Sequence, residues 1–174
     1  FFKKVDLVFC SSNKLLDRIK KYSNNLHLIP SGVDFNKFNQ KKHIDKKLVD
    51  ISSIKKPIIG FIGTISKVVD LELIVKLAIE LKEYSIVLVG PIMTNIKILL
   101  KINNIFILQE KDHDDLPDYL SHFKCAIIPY LINDYTNSVY SVKLNEYFAS
   151  GLPVVSTSIN ENILINKNNE NIIL

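Results

Sequence analysis

Residues 57–90 read PIIGFIGTISKVVDLELIVKLAIELKEYSIVLVG, and this stretch decides the fold. Its ends, PIIGFIG and SIVLVG, are apolar at successive rather than alternate positions, the pattern of strands buried on both faces. Between them, Leu71, Ile74, Val75, Ala78 and Leu81 fall on one stripe of a helix, with Glu72, Lys76 and Glu80 at intervals of four on another face. A buried strand, an amphipathic helix and a second buried strand form a right-handed unit with parallel strands.

The alternation continues toward the C-terminus. A weak helix near residues 95–102 leads to a strand at NIFIL (104–108), a helix at LPDYLSHF (116–123) and a strand at CAIIP (125–129). A helix at VKLNEYFAS (142–150), a strand at LPVVS (152–156), a short helix after Asn160 and a last strand at NIIL (171–174) follow. The expected fold class is α/β: a Rossmann-like, doubly wound sheet of about six parallel strands over residues 57–174. Upstream, VDLVFC (5–10), a helix carrying Leu15, Leu16 and Ile19, and LHLIP (26–30) form a short strand-helix-strand piece, expected to pack poorly or against the sheet edge. The lysine-rich, aperiodic segment that follows reads as a boundary. The expected division is 1–39 as the end of a preceding domain and its crossover, 40–54 as a mobile linker, and 55–174 as the Rossmann-like domain, incomplete at its C-terminus.

Composition narrows the function classes. The 174 residues are 47% apolar and 23% charged with a net charge of +4, a soluble globular balance. The densest basic run, Lys41, Lys42, Lys46 and Lys47, is interrupted by Asp45 and has no aromatic residue to stack on a base, so a nucleic-acid surface is not expected. Cys10 and Cys125 lie in apolar runs and read as reduced core residues. His27, His43, His113 and His122 have no metal-site spacing, and no G-x-S-x-G elbow is present, so neither a metal centre nor a hydrolase triad is expected. No apolar run approaches the ~20 residues of a membrane span. A start at Phe1 and an end within a strand read as a fragment.

In such a sheet ligands bind beyond the carboxyl ends of the strands, which confines the search to the loops after Phe61, Gly90 and Pro129 and the helix start at Val142. The first loop carries Gly60, Gly63, Thr64 and Ser66, and reads either as a tight strand-to-helix turn or as a phosphate cradle. In the helix at 142–150, Ser141 is the expected N-cap, Gly151 the C-terminal cap and Pro153 a stop, with Leu144, Tyr147 and Phe148 toward the core. Lys143 lies in the first turn, where free amides of Ser141 and Val142 and the helix dipole favour an anion, and Glu146 is one turn deeper on the same face. A lysine and amides suit a diphosphate, and a carboxylate suits ribose hydroxyls. From spacing alone, Lys143 and Glu146 read as a surface ion pair.

The order of segments resembles the C-terminal domain of GT-B glycosyltransferases, family 4 and the group 1 proteins. VDLVFCSSNKLLDRI with LHLIPSGVDFNKF is similar to the family's crossing between domains, IIGFIGTISKVVDLELI and YSIVLVGP to its first two C-terminal strands, NNIFIL and LPDYLSHFKCAIIPY to the next two, and VKLNEYFASGLPVVST to its nucleotide-binding helix and fifth strand. The resemblance implies transfer of a sugar, usually with retention, from a nucleotide-diphosphate donor to a saccharide or lipid-linked acceptor held by the absent domain. It implies cell-surface polysaccharide synthesis in the cytoplasm or at the inner face of the membrane, with no cofactor beyond the donor. The fragment alone is expected to be inactive.

Carried over by position, Glu146 matches the second glutamate of an E-x-x-x-x-x-x-x-E signature that holds ribose, Lys143 heads the same helix, and Gly63 with Thr64 matches the glycine loop near the diphosphate. The candidate donor-binding set is Gly63, Thr64, Ser141, Val142, Lys143 and Glu146. Ser138 stands where the first glutamate falls, Lys67 is the nearest base after the first strand, and Gln109 replaces a common glycine, so no catalytic residue is assigned. The alternatives are a non-catalytic nucleotide-binding or interaction module and a nucleotide-sugar epimerase.

Overall fold

A computed structural model of the chain describes residues 2–39, 48–169 and 172–173. In chain order the elements are β1 (Val8–Cys10), α1 (Asn13–Ile19), β2 (Leu26–Leu28), α2 (Phe35–Phe38), α3 (Val49–Ser52), β3 (Ile58–Ile62), α4 (Leu71–Glu80), β4 (Ser85–Val89) and β5 (Ile105–Leu108). They continue with α5 (Leu116–Ser121), β6 (Phe123–Ile128), α6 (Val142–Ala149), β7 (Val154–Ser156), α7 (Asn160–Asn169) and β8 (Ile172–Ile173).

Six strands form one sheet in the order β5-β4-β3-β6-β7-β8, and every neighbouring pair is parallel. The chain runs outward from β3 through β4 to β5, then returns to the other side of β3 and runs outward again through β6 and β7. That reversal between β3 and β6 is the switch point at which a doubly wound sheet opens a crevice. Every residue of β3 and β4 is buried, as their unbroken apolar runs require. Helix α4 starts at Asp70, whose side chain accepts from the Leu73 amide at 2.9 Å, and it buries Ile74 and Ala78. Gly60 has a packing role within β3: a Cβ there would stand 2.0 Å from the Phe123 ring.

Three sequence expectations are corrected. The weak helix near 95–102 is a single 3-10 turn, Leu99–Lys101, which buries only Leu99. The short helix after Asn160 runs ten residues. The third correction concerns the 40–54 linker. Lys41–Lys47 lie outside the described residues, but residues 48–54 carry α3 and place Ile51 and Ile54 in the core. Asp50 of α3 accepts from Lys111 Nζ at 2.8 Å and from the Tyr119 hydroxyl at 3.0 Å, tying α3 to the loop after β5 and to α5. Burial pushes the Asp50 carboxyl up, but the bonds from Lys111 and Tyr119 outweigh it and hold the group below its ordinary range.

Strands β1 and β2 pair in a separate parallel ribbon. The segment carrying them does not extend the sheet edge; it docks on the loops at the strands' carboxyl ends. Ser12 Oγ donates to Ser138 O at 2.7 Å, and the Asn13 amide and Nδ2 donate to the Glu161 carboxylate at 2.8 and 3.2 Å. Ser12 and Glu161 are both buried, so each needs the partner the other segment supplies. Free amides at the start of α1 thereby meet a carboxylate of α7.

Candidate functional site

At the switch point β3 and β6 pair only from Ile58 to Gly60. Beyond Gly60 the strands part, and the backbone of Ile62 loses its neighbour on that side. Tyr147 of α6 replaces it: the Ile62 amide donates to the Tyr147 hydroxyl at 2.9 Å, and that hydroxyl donates back to Ile62 O at 3.4 Å. Tyr147 is fully buried, and burial drives its hydroxyl far above the usual tyrosine range, so it stays protonated. Helix α6 is thus keyed into the crevice. Its far end closes on Gly151 at φ +70°, with the Gly151 amide donating to Phe148 O and the Leu152 amide to Tyr147 O, a paired C-terminal cap.

The loop after β3 begins at Gly63, with φ +141°, and packs on Gly90, with φ +140°, at the end of β4. A Cβ on Gly90 would stand 2.4 Å from Gly63 O, so Gly90 is required by close backbone approach as well as by conformation, and Gly63 by conformation. The Gly63 amide donates to Val89 O and the Ile65 amide to Pro91 O, each at 2.8 Å. Thr64 is exposed between these anchors, and Lys67 is exposed further along the loop.

Lys143 lies across Gly63, where a Cβ would be 2.8 Å from its Cε. Its ammonium donates to the Tyr130 hydroxyl at 2.6 Å and sits 5.5 Å and 5.2 Å from the ring centres of Phe61 and Tyr130. Among the described residues no carboxylate lies within ion-pair distance of it, and Lys143 and Glu146 do not pair with each other. Val142 and Lys143 open α6, so their amides precede its first regular hydrogen bonds.

Ser141 occupies the N-cap position, but its side chain makes no capping bond, contrary to expectation; its Oγ is buried with no partner among the described residues. Val142 is exposed. Ser138 is consumed by a turn, its Oγ donating to Asp134 O at 2.8 Å.

Glu146, with its side chain 13% exposed, accepts at Oε1 from His113 Nε2 at 3.0 Å. His113 comes from the loop after β5, its ring edge-on to Phe38 of α2 at 5.5 Å between centres. The crossing segment is also held by α6 directly, through Asn145 Nδ2 donating to Ser31 O at 2.7 Å. The structure therefore brings Gly63 and Lys143 together, pairs Glu146 with His113 and leaves Thr64 exposed. Sequence reasoning passed over Tyr130, Phe61 and His113. Tyr130 directly follows Pro129 in a loop the strand rule had singled out, whereas no spacing links His113 to α6. Among the described residues no cluster of His, Cys, Asp and Glu is placed to hold a metal ion, and no helix is long and apolar enough to cross a membrane.

Comparison with known proteins decides the family. Residues 56–174, the whole six-stranded unit with its site, match the family of glycosyl transferases group 1. The chain belongs to the group 1 glycosyltransferases. TuaH of Bacillus subtilis (strain 168), whose name assigns it as a glycosyltransferase of teichuronic acid biosynthesis, is 27% identical over 165 residues, covering 90% of this chain and 41% of that protein. Two solved structures share the fold. Anabaena Alr3699/HepE, crystallised with UDP and glucose, superposes with a TM-score of 0.64 at 15% identity, over 92% of this chain and 46% of that one. AviGT4, a glycosyltransferase involved in avilamycin A biosynthesis, gives a TM-score of 0.64 at 18% identity, over 90% and 46%. The chain thus spans less than half the length of these group 1 and GT-B relatives.

Proposed function

We propose that this chain is the donor half of a two-domain glycosyltransferase, binding the diphosphate and ribose of a nucleotide sugar at the start of α6. The observation that carries the reading is Lys143: a half-buried ammonium over Gly63, with a tyrosine hydroxyl for partner and no carboxylate among the described residues. Beside it lie the first amides of α6 and the positive end of its dipole, so an anion at this point completes the electrostatics. Glu146 supplies an acceptor one turn on, fitted to ribose hydroxyls. The UDP and glucose in the Anabaena structure support a nucleotide-sugar donor, and the teichuronic acid biosynthesis in the name of TuaH supports a cell-surface saccharide or lipid-linked acceptor. The proposal places transfer at the cytoplasmic side. The proposal requires no cofactor besides the donor. Ser138, whose side chain serves the turn, favours a second reading: a module that binds nucleotide without transfer.

Titration calorimetry of the chain against UDP and GDP tests the proposal. Lys143→Ala is expected to weaken binding about tenfold and to flatten its salt dependence. Glu146→Gln is expected to reduce the preference for ribose over its deoxy forms. A folded chain that binds neither nucleotide sinks the proposal. Sugar turnover by the whole protein separates the two readings, since the chain alone lacks the acceptor side and the closure that excludes water.

A further inference from the structure

The pairing of Glu146 is unusual for a carboxylate so nearly enclosed. A group of this kind ordinarily meets a cation directly. Here the nearby cation, Lys37 of α2, pairs with Asp114 Oδ1 at 2.5 Å and stands one imidazole ring away from Glu146: Lys37 Nζ donates to His113 Nδ1 at 2.7 Å, and His113 Nε2 donates to Glu146 Oε1 at 3.0 Å. A ring nitrogen that accepts from an ammonium carries no proton, so the network assigns the neutral tautomer with its hydrogen on Nε2, aimed at the carboxylate. The ring is 59% exposed, and one further contact holds it. Phe38, itself buried, packs against it, and two residues earlier Lys111 anchors the same loop to Asp50.

We propose that His113 is a positioning residue for the donor's ribose, a role that rests on the reading of Glu146 given above. The imidazole orients Oε1 through a neutral donor, and among the described residues no lysine or arginine contacts the carboxylate. A carboxylate in that state keeps its full strength as an acceptor for hydroxyl groups, whereas a direct lysine contact would spend it. The loop after β5 and the crossing segment therefore set ribose recognition on α6, although neither shares its sequence neighbourhood.

The test is calorimetry of the chain with UDP and GDP and with their 2′-deoxy and 3′-deoxy forms, with circular dichroism to verify folding. His113→Ala is expected to weaken binding of the ribose forms about three- to tenfold while leaving the discriminating deoxy form nearly unchanged. His113→Gln, whose amide can donate to Glu146 and accept from Lys37, restores most of the loss. Lys37→Met acts in the same direction more weakly. In a Glu146→Gln background His113→Ala has no further effect, because it acts through that carboxylate. Equal losses for ribose and deoxy forms, or losses additive with Glu146→Gln, overturn the role of His113 while the ribose site stands. If Glu146→Gln itself leaves ribose preference intact, the site reading fails and the inference with it.

Discussion

Replacing Tyr147 by phenylalanine removes one oxygen from the point where β3 and β6 part. The ring stays, so no side-chain-sized cavity opens and the effect isolates the hydrogen bonds. The bond of consequence is the one the Ile62 amide donates, at 2.9 Å; the return bond to Ile62 O, at 3.4 Å, is long enough to contribute little. Ile62 is 5% exposed and Tyr147 0%, so water cannot replace the lost acceptor. A buried amide left without a partner costs about 1–3 kcal/mol. With a urea dependence of about 2 kcal/mol per molar for a domain of this size, the midpoint should fall by about 0.5–1.5 M with no change in slope. Equilibrium urea denaturation followed by far-ultraviolet circular dichroism at pH 7 measures it. Tyr130→Phe is the comparison, because among the described residues its hydroxyl serves only the Lys143 ammonium, which is half-buried and within reach of water; its loss should stay below about 1.5 kcal/mol. If Tyr147→Phe matches the wild-type midpoint, or Tyr130→Phe falls as far, the bridging role of Tyr147 is refuted.

Two further outcomes follow from the same structure. His122 is partly buried with Nδ1 unpartnered among the described residues; burial, reinforced by the Lys56 charge, holds its pKa below the ordinary 6.5. The unfolded chain therefore takes up a proton that the folded chain resists, so stability should fall as pH drops through 6.5. Urea midpoints at pH 7.5 and 5.5 should converge for His122→Gln relative to wild type, and identical pH dependence in both chains would exclude His122 as the cause. Gly90→Ala must place a Cβ 2.4 Å from a backbone oxygen at φ +140° and should cost at least about 2 kcal/mol, whereas Gly151→Ala, at φ +70° with open space around it, should cost only about 1 kcal/mol. Thermal denaturation ranks the two, and a smaller loss at Gly90 would contradict the packing of the two loops.

Local pattern made the strands and helices of the sheet readable. PIIGFIG and SIVLVG are apolar without alternation because both faces are covered, and the stripe on α4 has helical period because one side meets the core. The same logic misread what depends on context. Gly60 looked like part of a loop cradle, but its missing side chain makes room for Phe123, 63 residues away in sequence by the numbering of the two positions. Residues 48–54 looked like linker because four residues of α3 are too few to display a period, yet Ile51 is wholly buried.

The chemistry of the site divides along the same line. By itself the sequence determined that Lys143 and Glu146 lie one turn apart near the start of a helix at a strand's carboxyl end, since helical spacing and parallel-strand alternation are local properties. Only the tertiary structure decided their partners: Tyr130 for Lys143 from 13 residues away, His113 for Glu146 from 33, and Tyr147 for the Ile62 amide from 85. Those partners are set by strand order. With β3 central and the chain reversing beside it, the loops after β3, β5 and β6 converge on α6, and no spacing within any one segment records that convergence.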